Sequence, residues 1–235
     1  MKILKNAGGF EIITPRQMSV PEFLENQLFI IEKVDRVYRR RRPKEKISEI
    51  REIIRERLKR GHESVIEHGW MTVLFNNVSR GMTHEGVRHR LASFAQESTR
   101  YIDYRETMEC VVPSHWNENE KVEIENGRKI SAVEMLTEYE KFYQALRKKG
   151  WKPEDARQLL PIGIKSPIVI TTNFREWRHI FELRTAKDAH WEIRRVMCNL
   201  LDHVKPILSP VFDDFQEAGV DENGLRYFEK KEDFF

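Results

Sequence analysis

Cysteine is scarce: the 235 residues include two, Cys110 and Cys198. Each sits in an apolar context with no second thiol two residues away, which excludes a thiolate metal knuckle or a dithiol redox pair, and both read as reduced core residues. Long apolar runs are also missing. The longest, Leu28 to Ile31, is about four residues against the roughly 18 that span a bilayer. No apolar leader with a cleavage site opens the chain, so no membrane association and a cytoplasmic location are expected. Neither sign of charge dominates: 41 Lys and Arg against 38 Asp and Glu leave a formal charge of +3, too small to argue for nucleic-acid binding from charge alone. Gly-x-Gly-x-x-Gly and Walker loops do not occur in the sequence, which excludes the usual Rossmann and P-loop devices. Repeats, Gly/Ser or Pro-rich linkers and low-complexity tracts are absent as well, so one domain over 1–235 is expected.

Metal patterns fail on spacing. The segment from His62 to His68 resembles a zinc-protease helix, but its histidines are six residues apart and not four, which on a helix turns the rings about 120° apart. A zinc-deaminase reading lacks its Pro-Cys-x-x-Cys element. No metal is expected.

What is present describes a folded, water-soluble chain: 40% apolar and 34% charged residues, long enough to bury a core without disulfides. Apolar spacing predicts helices over Val20–Arg39, over Pro43–Arg60 (Ile47, Ile50, Ile53, Ile54, Leu58) and over 188–203, with Trp191, Val196, Leu200 and Leu201 inward. Ser131 followed by Glu134 reads as a capping box opening a helix that runs to Gly150. Strands are expected over Trp70–Asn76, Ser166–Thr172 and Met108–Val112, with a hairpin turning at Asn126-Gly127. A short Gly-punctuated helix is expected over Gly81–Arg88. Helices and a minority of strands without regular alternation favour α+β, several long helices on a small, mostly antiparallel sheet. Trp177 and Trp191 read as core aromatics, and His115 and His203 as surface or structural. His62 and His68 read either as core histidines or as cofactor contacts.

The densest chemistry lies between Arg88 and Tyr101, where three arginines, His89, Gln96, Ser93, Ser98 and Thr99 fall within one short run. Such a donor inventory suits phosphate and planar imide groups. A solvated basic helix end is the plainer alternative. The interleaved Leu91, Ala92, Phe94 and Ala95 predict that one side of the run is packed.

Arg88-His89-Arg90, seven residues and then Ser98 resembles the signature of the flavin-dependent thymidylate synthases. Further stretches resemble the same family in order: Gly61-His62-Glu63-Ser64 with Glu67-His68; Ala156-Arg157-Gln158-Leu159-Leu160-Pro161; Thr172 to His179 with Leu183-Arg184; and Trp191-Glu192-Ile193. Together they cover 60–105 and 155–200 of the chain.

The resemblance implies an enzyme that uses reduced FAD to move a methylene from methylenetetrahydrofolate onto dUMP and reduce it to methyl, with electrons from NADPH. It implies FAD contacts at Ser64, Arg88, His89, Arg90, Gln96, Asn173 and His179. It implies dUMP contacts at Glu85, Gly86, Val87, Arg88, Gln96, Glu97, Ser98, Thr99, Arg100, Arg157 and Arg184. Arg184 resembles the residue that activates uracil, and a homotetramer with sites shared between subunits is implied. Guanidinium groups suit these tasks, because they stay charged and can bond phosphate through two parallel N–H groups. Ser98 has no adjacent base oriented by a third group, so it reads as a binding hydroxyl and not as a nucleophile. Neither cysteine lies in a matching motif. The chain departs from many relatives at His190 (often Gln), Asp188 (His in some) and Thr99 (Gly in some). Two alternatives accompany this reading: a related flavin enzyme alkylating another pyrimidine nucleotide, and a non-catalytic nucleic-acid-binding module with steep salt dependence and no flavin.

Overall fold

A computed structural model describes residues 1–42 and 44–231. In chain order the elements are β1 (Lys2–Lys5), β2 (Gly9–Ile12), α1 (Val20–Arg39), α2 (Ile47–Lys59), β3 (Trp70–Asn76), α3 (Arg80–Gly86), β4 (Ser93–Gln96), β5 (Glu109–Val112), β6 (Lys121–Glu125), β7 (Arg128–Ser131), α4 (Ala132–Lys148), α5 (Pro153–Ala156), β8 (Ile168–Asn173), α6 (Phe174–Arg184), α7 (Trp191–Val204), β9 (Phe215–Val220) and β10 (Arg226–Lys230). The class is α+β. One sheet has the order β2-β3-β8-β4, and the pairs β6-β7 and β9-β10 are antiparallel while β1-β5 is parallel. Backbone proximity divides the chain into two compact units, each assembled from three separate segments. The first holds Met1–Gly9, Phe75–Glu85 and Ala95–Ile168; the second holds Phe10–Leu74, Gly86–Phe94 and everything described from Val169 onward.

In the first unit, β1 lies beside β5 with Ile3 opposite Cys110. Tyr104, Met108, Cys110, Tyr143, Leu146, Ala156 and Ile164 form a buried apolar cluster. Burial pushes the Cys110 thiol up to about 12, so it stays a thiol. The hairpin turns through Asn126 and Gly127, both at positive φ (47° and 77°), the conformation that a two-residue turn of matching twist demands. Helix α4 starts where Ser131 Oγ accepts from the Glu134 amide and the Glu134 carboxylate accepts from the Ser131 amide, satisfying two otherwise orphaned donors.

In the second unit, α1 starts at the Ser19 cap and buries Leu24, Leu28 and Ile31, and α2 buries Ile50, Ile54 and Leu58. Arg57 and Asp35, both buried, form a two-pronged ion pair between these helices. Breaking it from one side would strand a buried charge. Phe174 and Phe181 of α6 meet Phe212, with Phe181 edge-on to it at 5.3 Å; Phe181 also meets Phe215, and Trp177 packs on Phe181. Trp177 Nε1 donates to the Met71 carbonyl at 3.1 Å. A Cβ at Gly69 would come within 2.5 Å of the Phe174 ring, so glycine is required there by close approach.

Several expectations need correction. Helix α2 begins at Ile47, and the expected start at Pro43 lies outside the described residues. Helix α3 ends at Gly86, leaving Val87 and Arg88 beyond it. Helix α7 begins at Trp191, whose side chain is half-buried and not part of the core. His62 and His68 are both exposed, because the segment between them is a tight 3-10 turn that directs Val65 and Ile66 inward. The run after Arg88 is only partly packed: it proceeds by turns into β4, Ala92 and Phe94 are half-buried, and Leu91 is 75% exposed. None of the described helices is long and apolar enough to cross a membrane.

Candidate functional site

In the second unit the site grows from the end of β8. Asn173 closes that strand and caps α6, its Oδ1 accepting from the Glu176 amide at 2.9 Å. The cap fixes the first turn of α6, so Glu176 points inward, His179 follows three residues later on the same face, and Arg184 is the last helical residue. The turn after α3 supplies the partner. His89 is only 4% exposed, its amide donates to the Gly86 carbonyl at 3.2 Å, and the following turn is pinned by Thr172 Oγ1 donating to the Leu91 carbonyl at 2.8 Å.

Arg184 Nε donates to His89 Nε2 at 3.0 Å. An imidazole nitrogen that accepts carries no proton, so neutral His89 holds its proton on Nδ1, which faces Glu176 Oε1 at 3.5 Å. His179 stands edge-on to His89 with ring centroids 5.6 Å apart. Burial first, then the charge of Arg184 and then His179 push the His89 pKa down to about 4, so the ring is neutral at pH 7. Burial raises the Glu176 carboxyl above its ordinary value, an effect that His179 opposes. A guanidinium is thus held through one nitrogen by an uncharged ring, with a buried carboxyl behind that ring.

A cavity of about 640 Å³ opens beside this cluster, lined by Asn173, Glu176, His179 and Leu91 and by the charged groups Glu63, Glu67, Arg175, Arg178, Glu182 and Lys230. Several of these charges are already engaged. Arg175 pairs with Glu67 and Glu63, and buried Arg178 grips Asp214 through two nitrogens at 2.7 and 2.6 Å. Of the expected FAD contacts, Asn173 and His179 line the cavity. Arg88 and Arg90 are exposed and make no side-chain ion pair among the described residues, and Ser64 is exposed on its 3-10 turn.

The first unit carries the other expected contacts apart from Gly86 and Val87, which belong to the second. Thr99 is buried, and Arg157 Nη1 donates to its Oγ1 at 3.1 Å. Both line a cavity of about 380 Å³ together with Arg80, His84, Gln158, Leu160, Pro161 and Ile162. Gln96 spends its amide protons on Thr83 Oγ1 at 2.7 Å and Ser166 Oγ at 3.0 Å. Arg100 is exposed and its Nε donates to Glu154 at 3.3 Å. Ser98 Oγ accepts from the Arg100 amide at 3.3 Å, and Glu97 accepts from the Tyr104 hydroxyl at 3.2 Å. No histidine or carboxylate bonds Ser98 among the described residues, which suits a binding hydroxyl. Glu85 is half-buried, Gly86 buried and Val87 exposed.

Three residues were missed by the sequence reading. Arg80 and His84, four apart on α3, join Arg157 at the second cavity; the i,i+4 spacing of two basic side chains was the available signal. Glu176 gave no signal beyond its third-position place after an Asn cap.

Comparison with known proteins supplies the fold first. The fold matches that of a solved UMP/dUMP methylase, PolB from Streptomyces cacaoi bound with 5-Br dUMP, with a TM-score of 0.69 over 91% of this chain and 97% of that one at 20% identity. The family model described as thymidylate synthase complementing protein matches residues 22–209. A flavin-dependent thymidylate synthase from Pyrococcus abyssi is 38% identical over 149 residues, 61% of this chain and 58% of that protein. One from Geobacter sulfurreducens is 37% identical over 157 residues, 66% and 64% of the two chains. This chain belongs to the flavin-dependent thymidylate synthase family. The matched region spans about three fifths of the length of these curated relatives.

Proposed function

We propose that this protein is a flavin-dependent thymidylate synthase, acting as one functional domain over 1–235, that converts dUMP to dTMP with methylenetetrahydrofolate as carbon donor and NADPH as electron source. The observation that carries this reading is Arg184, held through Nε by a buried, neutral His89. Because the imidazole is uncharged, it fixes the guanidinium without competing for its charge. A fixed cation beside the uracil imide favours the deprotonated N3, sending electron density toward the ring carbon that acts as nucleophile.

The chemistry of the donor set fits FAD. Arg88 and Arg90 are exposed cations without ion-pair partners among the described residues, suited to an anionic cofactor. The Asn173 amide group and the exposed His179 ring face a cavity of about 640 Å³. Ser64, Arg88, His89, Arg90, Gln96, Asn173 and His179 would hold the flavin, which supplies the hydride chemistry when bound. The dUMP phosphate suits Arg157 and Arg100 with the hydroxyls of Ser98 and Thr99, and the remaining nucleotide contacts would come from Glu85 to Arg88, Gln96, Glu97 and Arg184. A homotetramer with shared sites and a cytoplasmic location complete the reading.

A second reading, alkylation of another pyrimidine nucleotide, is supported by the fold neighbour whose described substrates include UMP. A nucleic-acid-binding module is not favoured, since Arg157 is tied to Thr99 at a cavity and Arg184 to a buried ring, which leaves Arg88, Arg90 and Arg100 as the exposed cations of the group. The test is the visible spectrum of protein reconstituted with FAD, recorded before and after dUMP. A bound-flavin spectrum that shifts with dUMP is expected, with a smaller or absent shift for UMP and dCMP. Failure to bind FAD at all would overturn the proposal.

A further inference from the structure

We infer that Glu176 is a positioning residue, one that rests on the function proposed above and acts through His89 to hold Arg184. The Glu176 carboxyl, 7% exposed, faces His89 Nδ1 at 3.5 Å, and the opposite nitrogen of the same ring accepts from Arg184 Nε at 3.0 Å. A ring nitrogen cannot accept while protonated, so whatever keeps the proton on Nδ1 keeps the Nε2 lone pair available to the guanidinium. The arrangement is that of a carboxylate orienting a metal-bound histidine, with a guanidinium standing in the metal's place.

Glu176 is itself held rather than adaptable. Its amide is fixed by the Asn173 cap, and it lies on the same helix as Arg184, so α6 carries both ends of the relay and His89 bridges them from the turn after α3. With the other tautomer, Nε2–H would point at an N–H of Arg184, donor against donor. The bond between Arg184 Nε and the ring would then be lost, leaving the buried Nε2 of His89 without that partner. Glu176 therefore decides whether His89 holds Arg184 through Nε.

The experiment uses full-length protein labelled with 15N-histidine, with His89 assigned by its loss in His89→Gln, and two-bond proton–nitrogen correlation to read its tautomer. In the wild type, Nε2 is expected to resonate as the unprotonated nitrogen. Glu176→Gln keeps an acceptor oxygen and is expected to keep that tautomer, with turnover within about threefold of wild type. Glu176→Leu is expected to mix or reverse the tautomers and lower kcat by about 10- to 100-fold, the usual range for an orienting partner, while the KM for dUMP changes far less. If the Leu variant does not fold, Glu176→Asp, which retracts the carboxylate, is expected to mix the tautomers in the same way.

A protonated Nε2 in the folded wild type, or a tautomer unchanged in both the Leu and Asp variants, would overturn the inference. The proposed reaction fails separately: a tautomer that responds to Glu176 in a protein that makes no dTMP would leave the relay standing and remove the thymidylate synthase reading.

Discussion

The two regions that carry the expected site are built on opposite plans. In the second unit, His89 and Glu176 are buried, the ring is neutral, and Arg184 is held by a bond between residues 95 positions apart in sequence. In the first unit, Arg157 leans on Thr99 at an open cavity, and Arg100 is an exposed side chain paired with Glu154. An exposed pair of that kind is worth at most about 1 kcal/mol, so under the proposed function an arriving phosphate would displace it cheaply. A buried, fully bonded polar cluster is rigid, and disturbing one member exposes the others to the cost of an unmet bond. Under the proposed function, the charge that must be in place before reaction is the fixed one, and the charge that would capture the ligand is the adaptable one.

The comparison breaks most sharply at Arg184. Replacing it with Ala is expected to abolish dTMP formation, a loss on the order of 100-fold or more in turnover, while FAD still binds, as read by flavin absorbance and product chromatography. Arg157→Ala is expected to act on capture instead: the KM for dUMP rises about tenfold or more with a smaller change in kcat, the signature of lost ground-state binding.

A third effect is on stability. His89 titrates near 4 when folded and near its ordinary 6.5 when unfolded. Between those values the unfolded chain binds the extra proton, so stability is full above pH 6.5 and falls as pH drops toward 4, by at most about 3 kcal/mol. Glu176, raised by burial, contributes with the opposite sign above 4.5. The difference between wild type and His89→Gln in denaturant melts across that range isolates the histidine, and equal pH slopes for the two proteins would refute the assignment. The smallest effect is expected from Cys110→Ala with Cys198→Ala. Both thiols are buried, and burial pushes each up to about 12; turnover should survive in a folded double variant.

Much of the fold was legible where local rules act alone. Helix α1 and strand β3 have the bounds that their apolar spacing predicts, the Ser131–Glu134 box opens α4, and Asn126-Gly127 turns its hairpin. Strands β9 and β10 were not anticipated, because Gln216, Glu217, Arg226 and Glu229 dilute a pattern in which Phe215 and Phe228 are the buried anchors. Leu91 was expected on a packed side of the Arg88–Tyr101 run, but the segment folds as turns into β4 and leaves it 75% exposed. At the site, the family-like motifs named Arg184, His89 and Arg157 but not what they touch. A bond between His89 and Arg184 leaves no local period, and Glu176 looks like any acidic residue in the first turn of a helix. Motifs identify groups, and the packing of α6 decides which of them meet.

The measurement that tests the account most directly is product formation: purified protein with FAD, NADPH, methylenetetrahydrofolate and dUMP, assayed for dTMP by mass-resolved chromatography beside the Arg184→Ala variant. The proposed function predicts dTMP from the wild type, dependent on FAD, and none from the variant although both bind flavin. Equal dTMP from the two proteins, or none from a flavin-loaded wild type, would contradict it.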